Sequence, residues 1–360
     1  MVPAPVKSQS SRLRTRLQPG TSGLLAAVFS QVRVPAGKFG LERLFARTRH
    51  SCLFLNDTEN GWYLGLDDEI DAAISKAIEY TGASDIVFYG SSMGGYGALA
   101  AGLRHGTGTI HAFGPELKAG APGSQSAHYG IRPNDPHLFD LRTAHLTSKQ
   151  QLHLYYGIYD PVDAANAAAA NTLLPGAELH LLHSCHASHD HLYSLNLIRR
   201  IITTFSRNPG TELASKDLLA VLDLDTMRAF GDLAEIHAGR GGVSLNDITS
   251  LKGFEEHPGM LALAAEVAVA GEDLPQAVNF LASADSLIRS VRVLSTLPKR
   301  WRKTFPLRHA ELMIEMGDLE AAGHLLDRTF AEFPADARMN TLARRLDGLG
   351  RSPAIGSTGM

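Results

Sequence analysis

The chain has 360 residues, 44% of them apolar and 20% charged, with a net charge of −3 and two cysteines, Cys52 and Cys185. That length suits two domains, and the near-neutral balance leaves no electrostatic footprint for nucleic acid or an anionic membrane surface. Two cysteines exclude a disulfide framework, and no apolar run reaches the roughly 18 residues of a spanning helix, so a cytoplasmic protein without a membrane span is expected.

The first 22 residues combine Lys7, Arg12, Arg14 and Arg16 with serines and no acid, a composition shared with transit peptides. They are expected to form a disordered tail. From residue 23 onward short β-rich runs alternate with helical stretches. The strands are predicted at 23–30, 51–56, 85–90, 109–114, 151–157 and 178–184, near-continuous apolar segments of the kind that parallel strands show when both faces are covered. Helical spacing marks 70–80, 96–105, 163–174 and 191–205. This order predicts a doubly wound, mostly parallel α/β sheet over residues 23–206, with any chemistry at the carboxyl ends of the strands.

Pro209 and Gly210 punctuate a linker expected over 207–217. Beyond it no strand signal survives, and residues 218–348 predict an all-α domain of helical hairpins, with a tail over 349–360. One hairpin spans 260–288 and turns at Gly271; another spans 308–334 and turns at Gly317. In the second, Gly317, Ala322 and Pro334 stand where a tetratricopeptide repeat places its turn glycine, small helix-B residue and closing proline, so this stretch resembles that repeat family. The two turn glycines are 46 residues apart instead of the repeat's 34 or so, which keeps an irregular helical bundle open. Either arrangement would serve a protein partner or self-association.

The most informative stretch is "IVFYGSSMGGYGALAAG" at 86–102. It carries Gly90-Ser91-Ser92-Met93-Gly94, a G-x-S-x-G between a predicted strand and a predicted helix. A serine on such an elbow sits in a strained turn, and the positions two before and two after it must lack side chains so that strand and helix can approach. Gly90 and Gly94 meet that demand for Ser92, whereas Tyr89 and Met93 could not meet it for Ser91. Ser92 is therefore the candidate nucleophile, and the backbone N–H of Met93, at the helix start, is a candidate oxyanion donor. The Lys of a phosphate-binding loop and the dinucleotide G-x-G-x-x-G are both missing, and no cofactor is expected.

With this elbow the sequence resembles the α/β-hydrolase superfamily across residues 23–206. The resemblance implies a triad in the chain order Ser, acid, His. The acid is expected just past a later strand, where "LYYGIYDPVD" supplies Asp160, with Asp163 as competitor; its place three residues after Gly157, at the strand end, favours Asp160, and Asp163 is expected to cap a helix. The resemblance also implies a second oxyanion donor in the loop after the strand at 51–56. Lipases of the family often carry HGGG there, and this chain has "NDTENGW", which leaves the N–H groups of Asn56, Asp57 and Thr58 as candidates.

The histidine is implied to follow the last strand, and "HSCHASHDH" at 183–191 offers four. His186 is the first beyond the strand and the expected base, with His189 in reserve. His183 is expected to be structural. "HASHDH" also approaches the H-x-H-x-D-H of metal-dependent hydrolases, but Ser188 stands where a ligand should, and no second cluster completes a four-ligand zinc site in the sequence. No metal is expected. Residues 115–150 form a long excursion in which His128, Tyr129, Arg132 and His137 either line a polar pocket or decorate a surface loop.

Together these residues predict a serine hydrolase or O-acyltransferase acting on a small-molecule or glycan acyl ester. "GSSMGGYGAL" is similar to elbows of bacterial hydrolase-fold proteins in glycan pathways, some of them acetyltransferases. The alternatives are a catalytically idle hydrolase-fold scaffold and, further off, a metal-dependent hydrolase using the histidine cluster.

Overall fold

The computed structural model of the chain describes residues 12–221 and 223–350. Among them seven strands form one sheet: β1 (Leu13–Gln18), β2 (Leu24–Phe29), β3 (Ser51–Asp57), β4 (Asp85–Ser91), β5 (Gly108–Phe113), β6 (Gln150–Gly157) and β7 (Glu178–Leu182). Their order is β1-β3-β2-β4-β5-β6-β7, with β1 antiparallel to β3 and the other pairs parallel. The chain runs outward from β2 to β3 and then returns past β2 to β4. That reversal leaves a crevice at the carboxyl ends of β2 and β4, where open α/β sheets bind ligands.

Side chains alternate across each strand, so the apolar runs feed two cores. Leu25, Ala27 and Phe29 of β2 face one core with Phe88 and Ile110, while Ala26 and Val28 face the other with Val87, Tyr89 and Phe113. On the first face lie α2 (Asp67–Thr81), α3 (Met93–His105) and α5 (Pro161–Leu173); on the second lie α1 (Glu42–Phe45), α6 (Ser188–Ser194), α7 (Leu197–Ile202) and α8 (Pro209–Ala214). A short helix in the excursion after β5, Gln125–His128, is α4.

Four expectations are corrected. The expected tail over residues 1–22 contains β1, an edge strand whose Arg16 pairs with Glu42 of α1 at 2.5 Å; Leu13, Thr15 and Leu17 alternate with the arginines, a charged edge of the kind that resists further strand pairing. Residues 1–11 and 351–360 lie outside the described residues, and the start of the expected C-terminal tail belongs to a helix that runs to Gly350. The expected linker at 207–217 is instead largely α8, capped by Asn208, whose side chain accepts from the Thr211 N–H at 2.9 Å, with Leu213 fully buried. Finally, the helix expected over 191–205 is split into α6 and α7, because Asn196 adopts a left-handed conformation at φ 61°.

The remaining described residues are helical: α9 (Leu224–Ala238), α10 (Leu245–Thr249), α11 (Pro258–Ala270), α12 (Leu274–Ser290), α13 (Arg292–Ser295), α14 (Lys299–Arg302), α15 (Thr304–Met316), α16 (Leu319–Glu332) and α17 (Ala337–Gly350). α11 packs on α12 and α15 on α16, the two hairpins legible in the sequence, with α13 and α14 between them. This helical region shares a continuous core with the sheet. Phe230 and Met260 join the cluster that contains Tyr156 and Ile158. At the joint, Gly231 of α9 lies against Ala165 of α5, and a Cβ on Gly259 would stand 2.2 Å from the Tyr159 carbonyl oxygen. We therefore expect Gly259→Ala to destabilise the whole chain by roughly 1–3 kcal/mol, the usual cost of overpacking, read as a lower denaturant midpoint; an unchanged midpoint would show that the joint yields freely.

Candidate active site

β4 ends at Ser91, and α3 begins at Met93. Between them Ser92 has φ 56° and ψ −121°, a region that side chains rarely occupy and that persists only when its surroundings enforce it. The enforcement is close packing. A Cβ on Gly90 would lie 2.0 Å from the Gly94 carbonyl oxygen, and one on Gly94 would lie 2.4 Å from the Phe29 carbonyl oxygen of β2. The Ser92 N–H donates to Phe113 O at 2.7 Å, and Ser92 O accepts from the Tyr96 N–H at 3.0 Å. The serine side chain is thereby presented above the sheet at the amino end of α3, where Met93 begins the helix.

His186 lies between β7 and α6. Its Nε2 is 3.0 Å from Ser92 Oγ, and its Nδ1 is 2.8 Å from Oδ1 of Asp163. The other oxygen of Asp163 accepts from the Gly157 N–H at 2.9 Å, and the residue is 1% exposed. The expected assignment of the two acids is thus reversed. Asp160 is the N-cap of α5, its Oδ1 accepting from the Val162 and Asp163 N–H groups at 3.0 Å each. Asp163, one turn in, holds the imidazole. The signal was present: Pro161 suits the first position of a helix, which makes the residue before it the cap.

The reserve histidine, His189, stands beside the site but is held by other partners. His189 Nε2 meets the Tyr89 hydroxyl at 2.9 Å, and its ring packs edge-on against Phe113. His183 Nδ1 meets the Tyr159 hydroxyl at 2.7 Å, and His191 bridges Ser184 and Thr296 at 3.0 and 2.9 Å. The four histidines of "HSCHASHDH" therefore take four different sets of partners.

Asn56 and Asp57 are not brought to Ser92. β2 is the neighbour of β4, and β3 lies beyond it. Asn56 donates to Val34 O and Lys38 O, while Asp57 accepts from the Gly61 and Tyr63 N–H groups; Thr58 hydrogen-bonds the Arg12 carbonyl. The segment after β2 reaches the serine instead: Gln31 and Arg33 line a cavity of about 260 Å³ together with Ser92, His186, Gln125 and Arg300.

Gln125, like Gln31, Arg33 and Arg300, carries no signal in the sequence. Its Oε1 lies 2.5 Å from Ser92 Oγ, and its backbone N–H donates to the buried carboxyl of Glu116 at 3.0 Å. Glu116 also accepts from Ser126, which fixes α4 over the serine. The residues expected as pocket candidates, His128, Tyr129, Arg132 and His137, do not line this cavity; Tyr129 packs on Trp62 and accepts from Arg33 Nε at 2.9 Å.

Electrostatically the site is acidic around one imidazole. Burial pulls the His186 pKa down, but the Asp163 carboxylate in contact with it, with Asp160 and Glu116 behind, outweighs burial and lifts it above 6.5. Burial and the neighbouring Asp163 charge push the Asp160 carboxyl up, and burial does the same to Glu116.

Among the described residues, two groups bring three metal-ligating atoms within 4.8 Å of one another, namely Asp160, Asp163 and His186, and His153, Glu178 and His180. In the first, the helix N–H groups, Gly157 and the imidazole already occupy the carboxylates.

No family model and no curated protein matches the chain in sequence. Among solved structures the chain is similar to a capsule O-acetyltransferase of Neisseria meningitidis serogroup A, with 18% identity, a TM-score of 0.39, and coverage of 52% of this chain and 91% of that one.

The acidic surroundings of His186 are directly measurable. In an NMR titration of the full chain its ring should deprotonate above the ordinary 6.5, and Asp160→Asn should bring that transition to lower pH by removing a negative neighbour. A transition at or below 6.5 in the unaltered chain would contradict the arrangement.

Proposed function

We propose that the chain is a serine-dependent acyl-transfer enzyme of the α/β-hydrolase type, a carboxylic ester hydrolase or O-acyltransferase. The observation that carries this reading is the continuous hydrogen-bonded series from Asp163 through His186 to Ser92, with the serine on a strained turn at a helix start. Asp163 holds the Nδ1–H tautomer, so Nε2 accepts the Ser92 proton as Oγ attacks the acyl carbonyl. The Met93 N–H, with the dipole of α3 behind it, faces the developing oxyanion. The N–H of Gln31 supplies the second donor, because the segment after β2 is the one beside the serine. Asp163 then stabilises the imidazolium, which returns its proton to the leaving alcohol. A second hydroxyl, from water or an acceptor alcohol, resolves the acyl-enzyme by the same route in reverse.

The cavity walls favour a compact polar substrate. Gln31, Gln125, Arg33 and Arg300 line a volume of about 260 Å³, which suits a short acyl group on a polyhydroxylated alcohol, as in a glycan ester, better than a long acyl chain. The helical region, whose second hairpin resembles a tetratricopeptide repeat, is a partner-binding or self-association module that also supplies Arg300 to the cavity.

A fluorophosphonate probe on the full chain should label Ser92 stoichiometrically and leave Ser92→Ala unlabelled; labelling that survives Ser92→Ala would overturn Ser92 as the nucleophile, and none in the folded native chain would leave the idle-scaffold reading standing. With an activated acetate ester, Asp163→Asn should lower kcat by roughly 10³–10⁴-fold, as loss of the orienting carboxylate does elsewhere, whereas Asp160→Asn keeps its helix cap and should retain most of the rate. The pH profile adds a signed check. The base must be neutral, so activity rises with pH through the elevated pKa of His186, and Asp160→Asn should move that rise to lower pH.

A further inference from the structure

Strands β5, β6 and β7 carry His111, His153, Glu178 and His180 on one face, with His153 and Glu178 toward the amino-terminal ends of their strands, away from the carboxyl ends where Ser92 stands. In the parallel register His111 is the partner of His153, and His153 the partner of Glu178. Three side chains converge there. His153 Nδ1 and His180 Nε2 face each other at 3.3 Å, Glu178 Oε2 is 3.2 Å from the first, and Oε1 is 3.6 Å from the second.

We propose that His153, His180 and Glu178 form a binding site for a zinc-class divalent ion, with one coordination position open to solvent. The spacing supports it. Tetrahedral bonds of about 2.0–2.1 Å set neighbouring ligand atoms roughly 3.3 Å apart, which the observed 3.2, 3.3 and 3.6 Å straddle. The donor set, two imidazoles and one carboxylate, is the type that late first-row divalent metals prefer over calcium or magnesium. A chain of hydrogen bonds alone would leave one imidazole nitrogen facing another across a single shared proton, with a carboxylate beside both. An ion uses all three lone pairs at once, each ring then carrying its proton on the nitrogen turned away.

The rings are also held in place before any ion arrives. His111 stacks on His153 at 4.8 Å and 13°, its Nδ1 hydrogen-bonded to the Tyr155 hydroxyl at 2.9 Å, and Tyr155 stacks on His180 at 4.6 Å. His153 and His180 are buried, while Glu178 is 46% exposed at the mouth of a polar cavity of about 400 Å³. Arg207 in the cavity wall pairs with Glu212 at 2.9 Å and so does not neutralise Glu178. The open position points to this cavity, where water or a small anion would complete the coordination.

The test is a titration of chelator-treated full chain with Zn²⁺ by calorimetry, repeated with Co²⁺ to read coordination from its ligand-field absorption. We expect one ion per chain, four-coordinate Co²⁺ bands, and a higher thermal midpoint with Zn²⁺. Glu178→Gln, at an exposed edge where folding is not at stake, should weaken binding by more than the roughly 10-fold that loss of even a supporting partner costs, and His180→Asn should do the same. Asp163→Asn should bind as the unaltered chain does. No saturable binding by the unaltered chain, or binding that responds to Asp163→Asn and not to Glu178→Gln, would overturn the proposal.

Discussion

The contact on which the rest of the site depends is that of α3 with β2 and β4. Hydrogen atoms in place of side chains at Gly90 and Gly94 let the first turn of the helix rest directly on strand backbone, near enough that a methyl group at either position would collide with a carbonyl. This closeness makes an unfavourable backbone at Ser92 the lowest state available to it. It also sets the distance from the serine to the carboxyl ends of β2 and β5, and hence which segments can reach it. The Phe113 carbonyl at the end of β5 holds the Ser92 N–H, and the excursion that follows brings Glu116 and Gln125 over the hydroxyl.

The imidazole is positioned by a helix start on one side and a strand end on the other. Asp160 and Asp163 belong to one turn of α5 and do different work there. One satisfies free N–H groups of the helix, and the other reaches back to Gly157 and across to His186. Both remain close enough to act on the same ring, so the residue that builds the helix also shifts the charge balance of the imidazole. A mechanical role and an electrostatic one thus reside in adjacent carboxylates, separable by whether a substitution keeps the hydrogen bonds while removing the charge.

Much of this is legible in the sequence, and what is not has identifiable physical causes. The strand, turn and helix around Ser92 can be read locally because steric exclusion at Gly90 and Gly94 is a local property. The choice between Asp160 and Asp163 is also local, and Pro161 decides it once its preference for a helix's first position is given weight. The loop beside the serine is another matter. Whether the chain after β2 or after β3 reaches Ser92 depends on strand order in space, and two apolar runs of similar length carry no record of which sits next to β4. β1 is hidden for a related reason: its arginines read as tail composition, and only pairing with β3 reveals their alternation as that of an edge strand. Gln125 escapes because a single glutamine in a long excursion has no pattern, and its place is set by Glu116, nine residues before it in the chain and a buried partner for backbone N–H groups.

The contacts of His191 and Asp190 bear on how the chain is divided. His191 hydrogen-bonds Thr296, Asp190 pairs with Arg300 at 2.9 Å, and both partners lie far along the chain in the helical region. The segment that carries His186 is therefore clasped from outside as well as from the sheet. A boundary drawn in sequence near residue 207 cuts through one continuous core, and the histidine loop holds contacts on both sides of it.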